Sequence, residues 1–82
     1  MMKDVPVGLD EIYVPAALRK SLEPAKVELI AESILEHGLK NPIQVRRDKD
    51  RYVLVTGLHR LEAMRMLGEK TVPALIVSAR KH

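Results

Sequence analysis

One short segment of the sequence combines residue types that could hold a phosphate group. It reads Thr56-Gly57-Leu58-His59-Arg60 and lies where an apolar run ends and a run with helical spacing begins. A helix N-terminus exposes unpaired backbone N–H groups and a partial positive charge, and a glycine just before it lets an anion approach the backbone closely. His59 and Arg60 would add cationic side chains beside those N–H groups. The segment therefore predicts an anion site at a strand–glycine–helix turn.

Arg60 and Arg65 are expected to play different parts on this helix. The positions three and four residues after Arg60 hold no acid, whereas Arg65 can pair with Glu62 and Glu69. Arg65 is therefore interpreted as structural and Arg60 as open to a ligand. In the alternative interpretation, Gly57 only permits a tight turn and Arg60 is a solvated side chain. The spacing leaves both interpretations open.

Hydrophobic spacing, together with the positions of proline and glycine, predicts the elements that position this segment. Pro24 suits the first turn of a helix, and Gly38 supplies a left-handed stop after it. The predicted strands cover residues 9–14, 43–46, 52–55 and 72–77, and the predicted helices cover residues 24–37 and 58–67. Pro73 either places the last strand at a sheet edge or lies at that strand's beginning. The resulting fold class is α+β, with a small mixed sheet and the order β-α-β-β-α-β.

Length and composition limit the architecture to one small domain. The chain has 82 residues, of which 46% are hydrophobic and 30% are charged, and it contains 2 Tyr but no Trp or Phe. Such a composition predicts a folded chain with an aliphatic core. A single domain is expected over residues 1–82, with loose tails at residues 1–8 and 78–82.

Several kinds of site are excluded or disfavoured by what the sequence lacks. Without Cys the chain can form no disulfide, thiolate nucleophile or thiolate zinc site, and no spacing of His and acidic residues suggests a metal site. The sequence shows no signal peptide and no membrane-spanning apolar run. A cytoplasmic protein without membrane contact is therefore expected.

The net charge of +3 is unevenly distributed along the chain. Residues 23–37 hold four glutamates and one lysine, so the rest of the chain is more basic than the total implies. Glu28, Glu32 and Glu36 fall four apart on one side of the predicted helix and would repel a phosphate backbone. That side of the helix is not expected to bind nucleic acid.

Four blocks of the sequence resemble a known family. Between Ile12 and Val77 the chain contains VPAALRKSLEP, VELIAESILEHGLKNPIQVR, RYVLVTGLHRLEA and LGEKTVPALIV. These blocks resemble the N-terminal domain of ParB chromosome and plasmid partition proteins and, more distantly, sulfiredoxin. The family's phosphate motif usually reads GERR followed by an aromatic residue, Arg and Ala, where this chain has GLHRLEA. The resemblance implies a ParB/sulfiredoxin-like fold.

The resemblance also implies a site for a nucleoside triphosphate, CTP or ATP, with Mg²⁺. Gly57, His59 and Arg60 match the phosphate motif and are expected to contact the phosphates. Thr56 is expected to act as a helix cap or a hydroxyl contact. Arg19 matches an arginine of the family's Pro-rich opening segment and is expected to close over the nucleotide from the other side. The alternative for Arg19 is an exposed loop arginine.

Leu58 separates this chain from sulfiredoxin. The pair His59-Arg60 is similar to the end of sulfiredoxin's GCHR, but that enzyme's reaction needs the Cys that Leu58 replaces. Because an alkyl side chain cannot attack phosphorus, sulfinic-acid reductase activity is excluded. In the ParB motif a Glu stands at the position of Leu58 and an Arg at that of His59, so the choice of nucleotide stays open.

The leading functional hypothesis is a nucleotide-binding module linked to DNA partition or to plasmid or chromosome maintenance. In ParB proteins, DNA recognition and dimerisation belong to domains that follow the matched region. DNA contact is therefore expected through another domain or protein. Whether the module hydrolyses the nucleotide, and whether it forms an oligomer, stays open.

Two other functions are kept as alternatives. One is an enzyme, such as a free-amino-acid kinase, a nuclease or a weak NTPase, for which Glu23 is the candidate catalytic carboxylate. A helix cap or a partner of the helix dipole is the simpler role of Glu23. The other is sequence-independent DNA binding, with steep salt dependence, through Arg46, Arg47 and Arg51 and through the tail at residues 80–82. Neighbouring aspartates make a solvated hairpin the simpler interpretation of those arginines.

Overall fold

The computed structural model describes residues 3–78, which form a five-stranded mixed sheet with two main helices. The strands are β1 (Val5–Gly8), β2 (Ile12–Tyr13), β3 (Ile43–Asp48), β4 (Arg51–Thr56) and β5 (Thr71–Val77), and the helices are α1 (Ala16–Arg19), α2 (Pro24–His37) and α3 (Leu58–Met66). A short 3-10 turn, Leu9–Glu11, connects β1 to β2. The predicted α+β class with a small mixed sheet is confirmed.

The strands follow the order β1-β5-β3-β4-β2 across the sheet. β3 and β4 pair antiparallel as the predicted hairpin, and β1 is antiparallel to β5. The pairs β3–β5 and β2–β4 are parallel. Because β4 runs antiparallel to β3, its last residues lie beside the first residues of β3. The turn into α3 therefore forms next to Ile43.

α3 lies between the sheet and α2. Leu58, Leu61 and Met64 of α3 belong to the main hydrophobic core together with residues of all five strands. On another side of the helix, the fully buried Ala63 packs against Val27 and the rest of the apolar side of α2. The core is aliphatic, as the composition predicts. This packing fixes the N-terminus of α3 against both the sheet and α2.

The predicted strand at residues 9–14 is only partly correct. Leu9–Glu11 form the 3-10 turn, and only Ile12–Tyr13 pair with β4. Leu9 and Ile12 are both buried and stand three residues apart, a spacing that suits a 3-10 turn better than the alternation of a strand. The prediction therefore treated helical spacing as strand spacing.

The predicted loose tail at residues 1–8 is wrong for Val5–Gly8, which form β1. β1 pairs with β5 and buries Val7 in the main core. The unpaired N–H and C=O groups of a sheet edge offer such a pairing to any short extended segment nearby. The observed order thus has one strand more than β-α-β-β-α-β. Residues 79–82 of the other predicted tail lie outside the described residues.

Pro73 lies near the beginning of β5, opposite Pro6 of β1. Neither proline has an N–H to donate, so the two can face each other only as a pair without ladder hydrogen bonds. Pairing with β3 begins one residue later, at Ala74 opposite Ile43. Because β5 lies between β1 and β3, the predicted edge position is wrong. The alternative, a proline at the beginning of the strand, fits in part, since Pro73 is the third residue of β5.

Candidate phosphate-binding site

The junction between β4 and α3 is built around Gly57, which is the N-cap residue of α3. Its backbone is left-handed, with φ 104° and ψ 28°. No side chain caps the helix, so the predicted role of Thr56 as a helix cap is wrong. Within residues 3–78, the first N–H groups of α3 therefore have no side-chain acceptor. Those N–H groups form one end of the candidate site.

Gly57 has a packing role that is independent of any ligand. A Cβ at this position would lie 2.7 Å from Cγ2 and 3.1 Å from the Cα of Ile43. Ile43 is fully buried at the start of β3. The space that the glycine leaves is thus filled by the sheet rather than left open to an anion. Both the left-handed backbone and the contact with β3 require glycine here.

His59 joins the beginnings of the two main helices. The backbone N–H of Glu23, the residue before α2, donates a hydrogen bond to His59 Nε2 at 3.1 Å. An accepting Nε2 carries no hydrogen, so the ring hydrogen of the neutral side chain is on Nδ1. Glu23 contributes only its backbone to this contact, and its side chain does not cap α2. The predicted cap hydrogen bond of Glu23 is therefore wrong, whereas its position at the start of α2 fits the alternative role of a dipole partner.

Arg60 is less free than its helical spacing predicts. Its Nη1 donates hydrogen bonds to the carbonyl oxygens of Pro42, at 2.7 Å, and Asn41, at 3.3 Å. These oxygens carry no net charge, and no carboxylate within residues 3–78 pairs with the guanidinium. Arg60 thus anchors the loop before β3 while its positive charge stays at the start of α3. Arg65 pairs with Glu62 at 3.5 Å, as predicted.

Lys26 is a site residue that the sequence analysis missed. It lies in the first turn of α2 and lines a pocket of about 210 Å³ together with Gly57, His59 and Arg60. Ile30 and Leu58 complete the lining, and no carboxylate contributes to it. We call this the phosphate pocket. The available signal was that Lys26 is the single lysine or arginine of a helix rich in glutamate.

A second pocket continues the phosphate pocket along α2. It has a volume of about 260 Å³ and shares Ile30 and Arg60 with the phosphate pocket. Ser33 of α2 and Asn41 of the loop after it contribute polar groups to its lining. We call it the adjoining pocket. The two pockets are neighbours, because Ile30 and Arg60 line both of them.

Arg19 does not line the phosphate pocket. Its Nη2 donates to the carbonyl oxygen of Val14 at 3.3 Å. It lines a different pocket, of about 380 Å³, that also contacts Leu58 and Glu62. Leu58 lines both this pocket and the phosphate pocket. The structure brings Gly57, His59 and Arg60 together and leaves Arg19 on the other side of Leu58.

The hairpin arginines have partners of their own. Arg47 lies 5.1 Å from the ring centroid of Tyr52 and donates to its hydroxyl at 3.2 Å. Arg51 lies 4.2 Å from the ring centroid of Tyr13 and 3.5 Å from the Asp48 carboxylate. These contacts support the solvated-hairpin interpretation. The predicted tail contacts at residues 80–82 lie outside the described residues.

Across residues 3–78, no group of three or more His, Asp or Glu side chains is arranged to hold a metal ion. In the same part of the chain, every helix is too short or too polar to cross a membrane.

Comparison with known proteins identifies relatives over nearly the whole chain. Residues 4–82 match the family model of the ParB N-terminal domain. The chain is 36% identical over 74 residues to a probable chromosome-partitioning protein ParB of Helicobacter pylori, a match that covers 89% of this chain and 26% of that protein. It is 41% identical over 69 residues to a probable plasmid-partitioning protein ParB of Thermus thermophilus, covering 84% of this chain and 23% of that protein. The chain thus spans about a quarter of the length of these relatives.

Solved structures share the fold. Sulfiredoxin from Arabidopsis thaliana superimposes with a TM-score of 0.82 at 32% identity, covering 93% of this chain and 85% of that one. C-terminally truncated ParB from Caulobacter crescentus, complexed with CTP-γ-S, gives 0.80 at 27%, covering 95% and 46%. A free serine kinase mutant in complex with AMP gives 0.79 at 26%, covering 93% and 31%. The predicted ParB/sulfiredoxin-like fold is therefore confirmed.

Proposed function

The chain belongs to the ParB N-terminal domain family, and we propose that it binds a nucleoside triphosphate, CTP or ATP, within a chromosome- or plasmid-partition protein. The phosphates are proposed to bind in the phosphate pocket, at the start of α3. Because partition acts on DNA, we propose that the protein is located in the cytoplasm. DNA recognition is assigned to another domain or protein.

The observation that carries this proposal is the composition of the phosphate pocket. Lys26 and Arg60 bring two positive charges to the uncapped N-terminus of α3, and the lining contains no carboxylate. Cations close to a helix N-terminus oppose the helix dipole unless an anion shares the site. A phosphate group would accept hydrogen bonds from the free N–H groups and offset both charges.

The adjoining pocket is the proposed position of the nucleoside. It shares Ile30 and Arg60 with the phosphate pocket, and its Ser33 and Asn41 could hydrogen-bond to ribose or base. In the neutral form of His59, Nδ1–H is a donor, because Nε2 already accepts from Glu23. Mg²⁺ is proposed to arrive with the nucleotide and to be held by phosphate oxygens and water, since the pocket offers it no carboxylate.

Nucleotide titrations with Mg²⁺ test the proposal. CTP, ATP and a nonhydrolysable analogue are titrated into the full chain and into Lys26→Ala, and we expect the variant to bind about five- to tenfold more weakly. Arg46→Ala is the matched control, because it removes the same charge from the hairpin. Equal affinities for the two variants, or no binding by the unmodified chain at concentrations on the order of 1 mM, would contradict the proposed site.

An enzymatic function has less support from this geometry. Phosphoryl transfer and metal-dependent hydrolysis need a base or metal-binding oxygens beside the phosphates. Glu23 is the nearest candidate that the sequence offers, yet only its backbone N–H has a contact at the site, with His59. Product analysis with CTP, ATP and free serine would reveal a hydrolase or kinase reaction, and Glu23→Gln would show whether that carboxylate takes part.

A further inference from the structure

A groove between α2 and α3 lies apart from the phosphate pocket. It has a volume of about 290 Å³ and is lined by the apolar side chains of Leu22, Val27 and Met66 and by Glu28, Glu62 and Arg65. We call it the helix groove. It shares no lining residue with the phosphate pocket. The proposed nucleotide site therefore assigns no role to the residues that line the helix groove.

Exposed apolar side chains lie in the helix groove and further along the same side of α2. Met66, at the end of α3, is 56% exposed, and Leu35 of α2 is 73% exposed. Leu35 follows Glu28 by two helical turns, so it lies on the same side of α2 as the groove. Flexible methionine and leucine side chains of this kind adapt to an inserted apolar residue. The groove could therefore receive apolar side chains from another chain.

The charge around the helix groove favours a cationic occupant. Glu28 lines the groove, and Glu32 lies one helical turn further along α2. Both are exposed and have no ion-pair partner within residues 3–78. Like charges at this spacing destabilise a helix. Glu62 already has Arg65 as its partner. Lysine or arginine side chains placed along α2 would relieve the repulsion between the two unpaired carboxylates.

We propose that the helix groove docks a basic amphipathic segment of a partner protein. The apolar side of that segment would cover Met66 and Leu35, and its cationic side chains would lie against Glu28 and Glu32. This arrangement is a helix laid in a groove between two helices. The proposal goes beyond nucleotide binding and does not depend on it.

Three synthetic peptides of about 14 residues test the proposal on the full chain. The first has leucines at helical spacing flanked by lysines, the second has glutamates in place of the lysines, and the third is a scrambled form of the first. Fluorescence anisotropy measures affinity, and amide chemical shifts locate the bound peptide. We expect the first peptide to bind, with the largest shifts at Val27, Glu28 and Met66.

Variants on the two sides of α2 separate docking from general charge attraction. We expect Met66→Ser to weaken binding about fivefold and Glu28→Gln about two- to threefold. Leu29→Ser is the matched control, because Leu29 is 68% exposed but does not line the helix groove, and the affinity of this variant should change least. Leu35→Ser replaces Met66→Ser if the latter unfolds, as judged by circular dichroism. Nucleotide affinity should be the same in all of these variants.

Several outcomes would overturn the proposal. Equal binding of the scrambled peptide would show charge attraction alone, and preferential binding of the acidic peptide would reverse the assigned charge. Concentration-dependent association in sedimentation velocity, abolished by Met66→Ser, would make a second copy of this chain the occupant. Equal losses in Leu29→Ser and Met66→Ser, or no binding of the first peptide at about 1 mM, would leave the groove without the proposed partner.

Discussion

The start of α3 and the β3–β4 hairpin both carry cationic side chains, but these side chains have different kinds of contact partner in the two regions. At the hairpin, Arg51 has the ring of Tyr13 and the carboxylate of Asp48 as partners. At the start of α3, the contacts of Arg60 are with neutral carbonyl oxygens. The hairpin thus offsets much of its charge internally, whereas the helix start holds a cation in place without neutralising it.

This difference shows how a binding site can be distinguished from a charged surface. A count of basic residues would favour the hairpin, which has four within residues 46–51. Fixed position and uncompensated charge instead favour the start of α3, where the uncapped helix adds its own positive potential. The predictions below test each side of the comparison.

The largest effect is expected from Gly57→Ala. The added Cβ would clash with Ile43, and φ 104° would be strained for alanine, so we expect a loss of about 3 kcal/mol in the free energy of unfolding measured with urea. Gly68→Ala is the control, because Gly68 also has a positive φ, of 77°, but no atom within 4 Å of a new Cβ. It should lose only about 1 kcal/mol. Equal losses would show that the contact with Ile43 contributes nothing.

The next effect concerns the two roles of Arg60. Arg60→Ala removes both its charge and its hydrogen bonds to the loop at Asn41 and Pro42, so we expect a loss of about 1–2 kcal/mol in stability together with weaker nucleotide binding. Arg60→Lys keeps the charge and should retain more of the affinity while losing similar stability, because the shorter lysine side chain does not reach the position from which Nη1 donates both hydrogen bonds. Urea unfolding and nucleotide titration of both variants measure the two properties. Equal affinities for Arg60→Lys and Arg60→Ala would contradict a role for the charge.

The elements around the site were predictable because each has a local signal. Pro24 and Gly38 mark the ends of α2, and the predicted bounds of residues 24–37 match the structure. β1 had no comparable signal, since a short Val-Pro-Val segment becomes a strand only when the edge of β5 is present to pair with it. The strand prediction was wrong for Leu9–Glu11 because two apolar residues three apart, Leu9 and Ile12, can also be interpreted as part of an irregular strand when only the sequence is known.

A smaller effect is expected at His59. His59→Ala removes the acceptor for the Glu23 N–H, which should cost about 1 kcal/mol in the free energy of unfolding and speed hydrogen exchange at that amide. His37→Ala is the control, because His37 is an exposed residue at the end of α2. Amide exchange followed by NMR reports directly on the bond. Unchanged exchange at Glu23 in His59→Ala would mean that the contact does not connect the two helices.

The candidate site was only partly predictable, because its other half comes from a distant helix. The motif around Gly57 is continuous in sequence and could be recognised there. Lys26 lies more than thirty residues earlier, and only the packing of α2 on α3 brings it into the phosphate pocket. The anchoring of Arg60 was missed for the same reason, since its acceptors are backbone oxygens that no side-chain pattern reveals.

The smallest effect is expected from the hairpin, and it completes the comparison. Arg51→Ala removes the stacking on Tyr13 and the pairing with Asp48, both at a partly exposed surface, so we expect a loss of about 0.5–1 kcal/mol in the free energy of unfolding. Arg46→Ala, on the neighbouring strand, should lose less, because no cation–π or ion-pair contact of Arg46 is found within residues 3–78. Neither variant should change nucleotide affinity. A marked loss of affinity in either one would place a ligand at the hairpin and remove the distinction between the two regions.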